Sequence, residues 1–241
     1  MIIKDIAKKI CYYLKIDITK NQKYDRLTNK IIDKFVKPKH NCIDIGCHKG
    51  EILQYFLKKA PLGHPIGFEP IPYLYTELEQ KFKGVATIYP YALSHHSGKT
   101  EFHLVKKNPA YSGIKERIYD FKNPQIEIID VTLATLDSLI ASDFQVDFIK
   151  IDVEGGEFDV LKGAVETIKR SNPIILFEYG KGSAFYYGTQ PSELFDFFEN
   201  TLGYKLYTLK SFYENSTSIP KNRFEQLFSD CEEYYFVASK S

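Results

Sequence analysis

The four cysteines of this chain, Cys11, Cys42, Cys47 and Cys231, include no C-x-x-C pair. That removes the usual zinc-ribbon and dithiol spacings, and a chain of 241 residues buries enough core to need no disulfide staples. Reduced, mostly buried thiols are expected. No apolar run reaches the roughly 20 residues that a membrane-spanning helix needs. The opening stretch MIIKDIAKKICYYLKI interrupts its apolar residues with Lys and Asp too often for a signal peptide. A cytoplasmic protein without a transmembrane segment is the expectation. Neither sign of charge is in excess, with 32 Lys plus Arg against 31 Asp plus Glu, so no global field recruits nucleic acid and no nucleic-acid partner is expected. The three-glycine dinucleotide fingerprint is missing, and so is a Walker loop, because Gly98-Lys99-Thr100 has Leu93 where the leading glycine belongs. Cofactors that depend on a phosphate cradle are thereby disfavoured. Tryptophan is absent as well, although Tyr and Phe number 18 each and most of them belong in a core.

What remains is the composition of an ordinary globular protein, 44% hydrophobic and 26% charged. Ile3, Ile6, Ile10, Tyr13 and Leu14 recur at helical spacing over residues 2–14, which predicts an amphipathic helix that packs on the domain or on a second subunit. A homodimer is therefore plausible. A second helix is expected from Asp25 to Phe35, stopping before Pro38. Residues 1–38 thus read as a helical extension and 39–241 as the main domain.

From Asn41 onward strands and helices alternate. Strands are expected at Asn41–Ile45, Pro65–Phe68 and Ala86–Tyr89, with helices at Glu51–Lys59 and Tyr73–Phe82 between them. The rhythm resumes with strand Val146–Ile151, helix Glu157–Arg170, strand Ile174–Glu178 and helix Ser192–Asn200. Such text implies an α/β fold with a mostly parallel sheet covered on both faces. Between Gly98 and Leu139 it turns β-rich, which predicts an inserted hairpin or extension. Strands Tyr204–Leu209 and Tyr234–Ala238, with no well-patterned helix between them, are expected as antiparallel neighbours.

The most informative stretch is Cys42-Ile-Asp-Ile-Gly-Cys-His-Lys-Gly50, a strand that ends in Asp-x-Gly-x-x-x-Gly and runs into a helix. Glycines there allow a tight turn and close backbone approach to a ligand. In open α/β sheets, ligands bind outside the carboxyl ends of strands, beside the switch in strand order. Glu69, in Gly67-Phe-Glu-Pro70, ends the next strand and suits a ribose diol, because a carboxylate accepts two hydrogen bonds. S-adenosylmethionine needs such a ribose acceptor, an apolar slot for adenine and polar backbone for its amino-acid end, without a pyrophosphate cradle. Asp152 and Glu154, in Val146-Asp-Phe-Ile-Lys-Ile-Asp-Val-Glu-Gly-Gly-Glu157, leave another strand on the same rim, and Glu178 ends the next.

Taken together these motifs resemble the FkbM family of methyltransferases. The matching text runs from Asn41 to Gly180 and includes Ile43-Asp-Ile-Gly46 with Gly50, Phe68-Glu-Pro-x-Pro72, Ala92-Leu-Ser94 with Gly98, Thr135-Leu-Asp137, Ile149-Lys-Ile-Asp-Val-Glu-Gly155 and Val160-Leu-x-Gly-Ala164. The resemblance implies a Rossmann-like class I methyltransferase fold, S-adenosylmethionine as donor, and O-methylation of hydroxyls on small-molecule, carbohydrate or natural-product acceptors. On that basis Asp44, Gly46, Cys47, Gly50, Glu69 and Asp152 line the donor site, with Ala92 near adenine. The chain departs from the family at Cys47-His48, at His95 and at Ala110-Tyr-Ser-Gly113.

An alcohol acceptor must lose a proton, and Asp152, Glu154, Glu178 and His48 are the candidate bases, Asp152 and Glu154 foremost. The same acids suit Mg²⁺, a hard ion that takes carboxylate oxygens. A zinc set of His40, Cys42, Cys47 and His48 is rejected, because alternation along the strand separates the side chains. Tyr111, Tyr179, Tyr186 and Tyr187 sit in glycine-containing loops expected to overhang the strand ends, where their rings are candidates to line the acceptor pocket.

Overall fold

The computed structural model describes residues 19–119 and 121–240. The helix expected over 2–14, and the dimer argument built on it, lie outside the described residues. Helix α1 (Lys20–Phe35) starts at a capping box, in which Thr19 accepts from the Gln22 backbone and Gln22 reaches back to the cap.

Seven strands form the main sheet: β1 (Cys42–Ile45), β2 (Ile66–Phe68), β3 (Thr87–Tyr89), β7 (Phe148–Ile151), β8 (Ile174–Glu178), β9 (Lys205–Thr208) and β10 (Tyr235–Ser239). Their order is β3-β2-β1-β7-β8-β10-β9, and β10 alone runs antiparallel to its neighbours. The expected pairing of the last two strands is thus observed. The link between them is not bare, however: α9 (Leu209–Tyr213) and α10 (Lys221–Ser229) lie there. Helix α10 buries only Phe224 and Leu227, too short a stripe to stand out as a helical repeat.

Strand alternation divides the core between two faces. Ile43, Ile45, Ile149, Ile151, Ile175 and Phe177 point to one side, where α5 (Glu157–Lys162), α6 (Val165–Ser171), α8 (Pro191–Asp196) and α10 pack. Cys42, Phe148, Leu176 and Val237 point to the other, against Tyr24, Leu27, Ile31 and Ile32 of α1, Phe56 of α2 (Glu51–Lys59) and Leu209 of α9. The first two central strands, β1 and β7, are buried along their whole length, as expected for parallel strands covered on both sides.

The helix expected over 157–170 is instead broken at Gly163. A Cβ there would lie 2.1 Å from the Ser94 carbonyl oxygen, so the chain needs glycine for this close approach. The β-rich insertion is a second sheet of order β4-β6-β5, made by β4 (Tyr91–Leu93), β5 (Gly98–Val105) and β6 (Ile126–Ala134). β5 and β6 form a long antiparallel hairpin, and Pro109, Ala110, Tyr111, Ser112, Ile114 and Arg117 of its connection line cavities at the carboxyl ends of the main strands. Helices α3 (Pro72–Lys81), α4 (Leu136–Leu139) and α7 (Lys181–Ala184) complete the fold. Among the described residues, no helix is long and apolar enough to cross a membrane. Cys42 and Cys47 are buried free thiols, as expected, whereas Cys231 is exposed.

Candidate functional site

The strand order reverses at β1, which has β2 on one side and β7 on the other. The register Ile45↔Ile151 makes Gly46 and Asp152 leave the sheet side by side. Gly46 has φ +76, and a Cβ on it would lie 1.9 Å from the Asp152 carbonyl oxygen. No other residue fits that position. The Gly46 and Cys47 amides both donate to the Phe68 carbonyl, at 3.0 and 3.1 Å, which folds the turn over the end of β2. Gly50 caps α2 with φ +74 and faces Leu78 and Phe82, so its contribution is the shape of the turn and not a cavity wall.

Two cavities open above these strand ends. The first is lined by apolar Ile71, Ala92, Leu93 and Phe102 and by Gly46, Glu69 and Asp152. Glu69 is 4% exposed. Its Oε2 accepts from the His48 amide at 2.8 Å and its Oε1 from the Ile71 amide at 2.9 Å, which aims the carboxylate and leaves lone pairs free. Burial pushes its carboxyl up to about 7.

The second cavity adjoins the first through Gly46, His48, Ala110, Asp152 and Glu154, which line both. Its floor is a charge network. Lys150 Nζ lies 3.1 Å from Asp152 Oδ2 and 3.7 Å from Asp44 Oδ1. Asp44 is 1% exposed and neither carboxylate oxygen has a hydrogen-bond partner. Burial raises its carboxyl to about 6. Asp152 is half-buried, yet Lys150, Glu178 and the Tyr235 hydroxyl at 2.6 Å outweigh desolvation and hold it below the usual carboxylate range. Glu178 is driven the other way, by burial and then by the Asp152 charge, and it is hydrogen-bonded to Asp152.

Glu154 occupies a left-handed backbone position, φ 59, and pairs with Arg117 from the hairpin connection. Burial, with Asp152 next, raises its carboxyl to about 8. Arg117 lies over the rings of Tyr111 and Tyr119, at 5.2 and 5.6 Å. Glu157, fully buried, accepts from the Val153 and Gly155 amides and so shapes the turn that presents Glu154. The His48 imidazole also lines both cavities, and burial pulls its pKa down.

Of the tyrosines expected at an acceptor pocket, Tyr187 lines the first cavity and Tyr111 the second. Tyr186 lines neither; its hydroxyl accepts from the Ile118 amide and so anchors the hairpin connection. Tyr179 corrects the expectation. Its amide bonds to Tyr234 and prolongs β8, so alternation turns its side chain to the face of Ile175 and Phe177. There it is fully buried and stacked on Phe224 and Phe228. Sequence reasoning passed over Lys150, Arg117 and Tyr235. Lys150 carried a signal, since a lysine inside an apolar parallel strand demands a buried partner. Arg117 and Tyr235 carried none, because each meets its carboxylate only through the tertiary fold.

A family model described as the methyltransferase FkbM domain matches residues 44–206. No curated protein matches the chain in sequence. Among solved structures, a methyltransferase FkbM from Methylobacillus flagellatus KT is similar at 14% identity and a TM-score of 0.51, over 84% of this chain. The chain spans 44% of that protein's length. Fibrillarin from Aeropyrum pernix, in complex with S-adenosyl-L-methionine, aligns over 89% of this chain and 74% of its own at 12% identity and a TM-score of 0.44. A putative rRNA-methylase from Clostridium thermocellum aligns over 88% and 90% at 11% identity, with a TM-score of 0.44.

Proposed function

Because the chain belongs to the FkbM methyltransferase family, we propose that it transfers a methyl group from S-adenosylmethionine to a hydroxyl oxygen of a small, carbohydrate-like or natural-product-like acceptor. The observation that carries this reading is the meeting of the Gly46 turn and the Glu69 carboxylate in one cleft. The residues present fit the donor. Glu69 is aimed for a ribose diol, Ile71, Ala92 and Phe102 offer adenine an apolar slot, and Asp44 with Lys150 offers both signs of charge to an amino-acid end. The orphaned Asp44 oxygens are what an ammonium donor would satisfy.

When bound, the donor would supply a methyl group on a sulfonium, whose carbon–sulfur bond would break to leave a neutral thioether as an oxygen nucleophile attacks the methyl carbon in line. The protein's part is to hold that oxygen in place and remove its proton. Asp152 is a poor base, since Lys150, Tyr235 and Glu178 all stabilise its anion. Glu178 is engaged by Asp152, and its carboxyl is pushed well above the usual range by burial and that charge. Glu154, raised to about 8, has the higher proton affinity and lines both cavities. It accepts the hydroxyl proton as the O–C bond forms, while Arg117 keeps a usable fraction of it ionised. Asp152, Glu154 and Glu178 bring oxygens within 4.8 Å of one another, but Lys150 and Arg117 already neutralise two of the three, which disfavours Mg²⁺ there.

The test is transfer of labelled methyl from S-adenosylmethionine across a panel of hydroxylated acceptors, with and without chelator. Turnover that survives chelation and falls about 10²-fold or more in Glu154→Gln, with donor affinity kept, is the expected result. Unchanged turnover in that variant would remove Glu154 as the base.

A further inference from the structure

Much of the second cavity's wall comes from segments flanking the family-matched residues 44–206. Helix α1 contributes Asn21, Asp25 and Asn29. They are spaced four apart and share one helix face, while Tyr24, Leu27, Ile31 and Ile32 bury another. Tyr234 and Tyr235 enter from the β10 end. The wall built by these segments thus lies outside the family-matched span, where it can shape which acceptor is admitted.

The chemistry of the cavity is one-sided. Its cations are Lys150 and Arg117, and both are engaged by carboxylates within the cavity. Among the described residues, the lining acids Asp25 and Glu51 form no salt bridge, although the Lys150 charge also acts on Asp25. On the floor, Asp44 is almost wholly buried, paired with Lys150 at 3.7 Å and without a hydrogen-bond partner among the described residues. Carboxyl groups therefore outnumber cations in its lining. Asp44 is claimed by the donor's ammonium in the reading above and Glu178 by Asp152, which leaves Asp25 and Glu51 for the other ligand. Tyr111 and Tyr234 also line the cavity, each ring with a cation already near it, Arg117 over Tyr111 and Lys20 over Tyr234.

Resting on the methyl-transfer reading, we propose that the second cavity takes an acceptor bearing a protonated amine beside its hydroxyls, of the amino-sugar class, and that Asp25, flanked by Asn21 and Asn29, selects it. The ammonium meets Asp25 at the cavity mouth, the two amides serve neighbouring hydroxyls, and the reacting hydroxyl reaches toward Glu154. A divalent ion would have to displace Lys150 and Arg117, whereas an ammonium at Asp25 displaces nothing.

The test uses the full chain saturated with S-adenosylhomocysteine at pH 7 and titrated with D-glucosamine, D-glucose and D-gluconate, followed by ligand-observed NMR. Glucosamine is expected to bind about fivefold tighter than glucose, the size of effect an exposed ion pair supplies, and gluconate weaker than either. Asp25→Asn removes the preference and Asp25→Lys turns it toward gluconate, both with S-adenosylhomocysteine affinity unchanged. Equal affinity for the three sugars, no binding of glucosamine, or a preference untouched by Asp25→Lys would overturn the proposal. Failure of S-adenosylhomocysteine to bind would instead sink the donor-site reading, and the same titration without it still decides the amine preference.

Discussion

Tyr235 donates a 2.6 Å hydrogen bond to Asp152 Oδ2, tying the C-terminal strand to the end of β7 at the centre of the charge network. Asp152 is held below the usual carboxylate range, so its interactions stabilise the fold above its unfolded pKa and fade as pH falls through the folded value. Tyr235→Phe is expected to cost about 1–2 kcal/mol at pH 7. Thermal unfolding at pH 7 and near pH 3 checks this; the difference between wild type and variant should shrink at the lower pH.

Gly46→Ala is expected to act on the turn itself. The left-handed backbone penalises any Cβ by about 1–2 kcal/mol, and the 1.9 Å approach to the Asp152 carbonyl forces β1 and β7 apart. Calorimetry should show donor affinity reduced by about tenfold or more, together with a lower unfolding midpoint. Unchanged donor affinity in a folded variant would separate the turn from the donor site.

These two positions differ in how far the sequence announces them. Gly46 sits in a strand–glycine–helix pattern whose backbone demands are local, so the turn, strands β1, β2 and β7 and the rim acids Glu69, Asp152 and Glu154 could be placed before any coordinates. The β5–β6 hairpin was legible as β-rich text, although not that its connection latches onto Glu154 through Arg117. Tyr179 misled because its glycine-rich context marks a loop, whereas one added strand hydrogen bond turns it into the core. The polar face of α1 was hidden too: a helix wheel shows which residues avoid burial, not what they face.

Glu69 and Glu157 are both raised by burial to about 7, above an ordinary value of 4.5. Folded protein keeps these protons while unfolded chain has lost them, so stability without ligand should fall as pH rises from about 4.5 through 7, by a few kcal/mol. Chemical denaturation at pH 5.5 and pH 8 measures the slope, and Glu69→Gln should flatten it. A ribose diol donates to the ionised carboxylate, so donor affinity should run the opposite way and rise through the same window.

Arg117→Gln leaves Glu154 with no cationic partner. At pH 6 Glu154 is protonated and the substitution costs little. At pH 9 the wild type has an ion pair where the variant must bury a lone carboxylate or hold its proton, at about 1–3 kcal/mol. Unfolding midpoints at the two pH values are the readout, and an equal loss at both would contradict the raised Glu154 pKa.

The central claim is that the cleft over β1 and β7 is a donor site for S-adenosylmethionine. Calorimetric titration of S-adenosylmethionine into the wild type and Glu69→Ala, with NAD as control, tests it most directly. The account predicts micromolar-range binding to the wild type, a marked loss in Glu69→Ala, and none for NAD. No binding to folded wild-type protein, or equal binding of NAD, would contradict it.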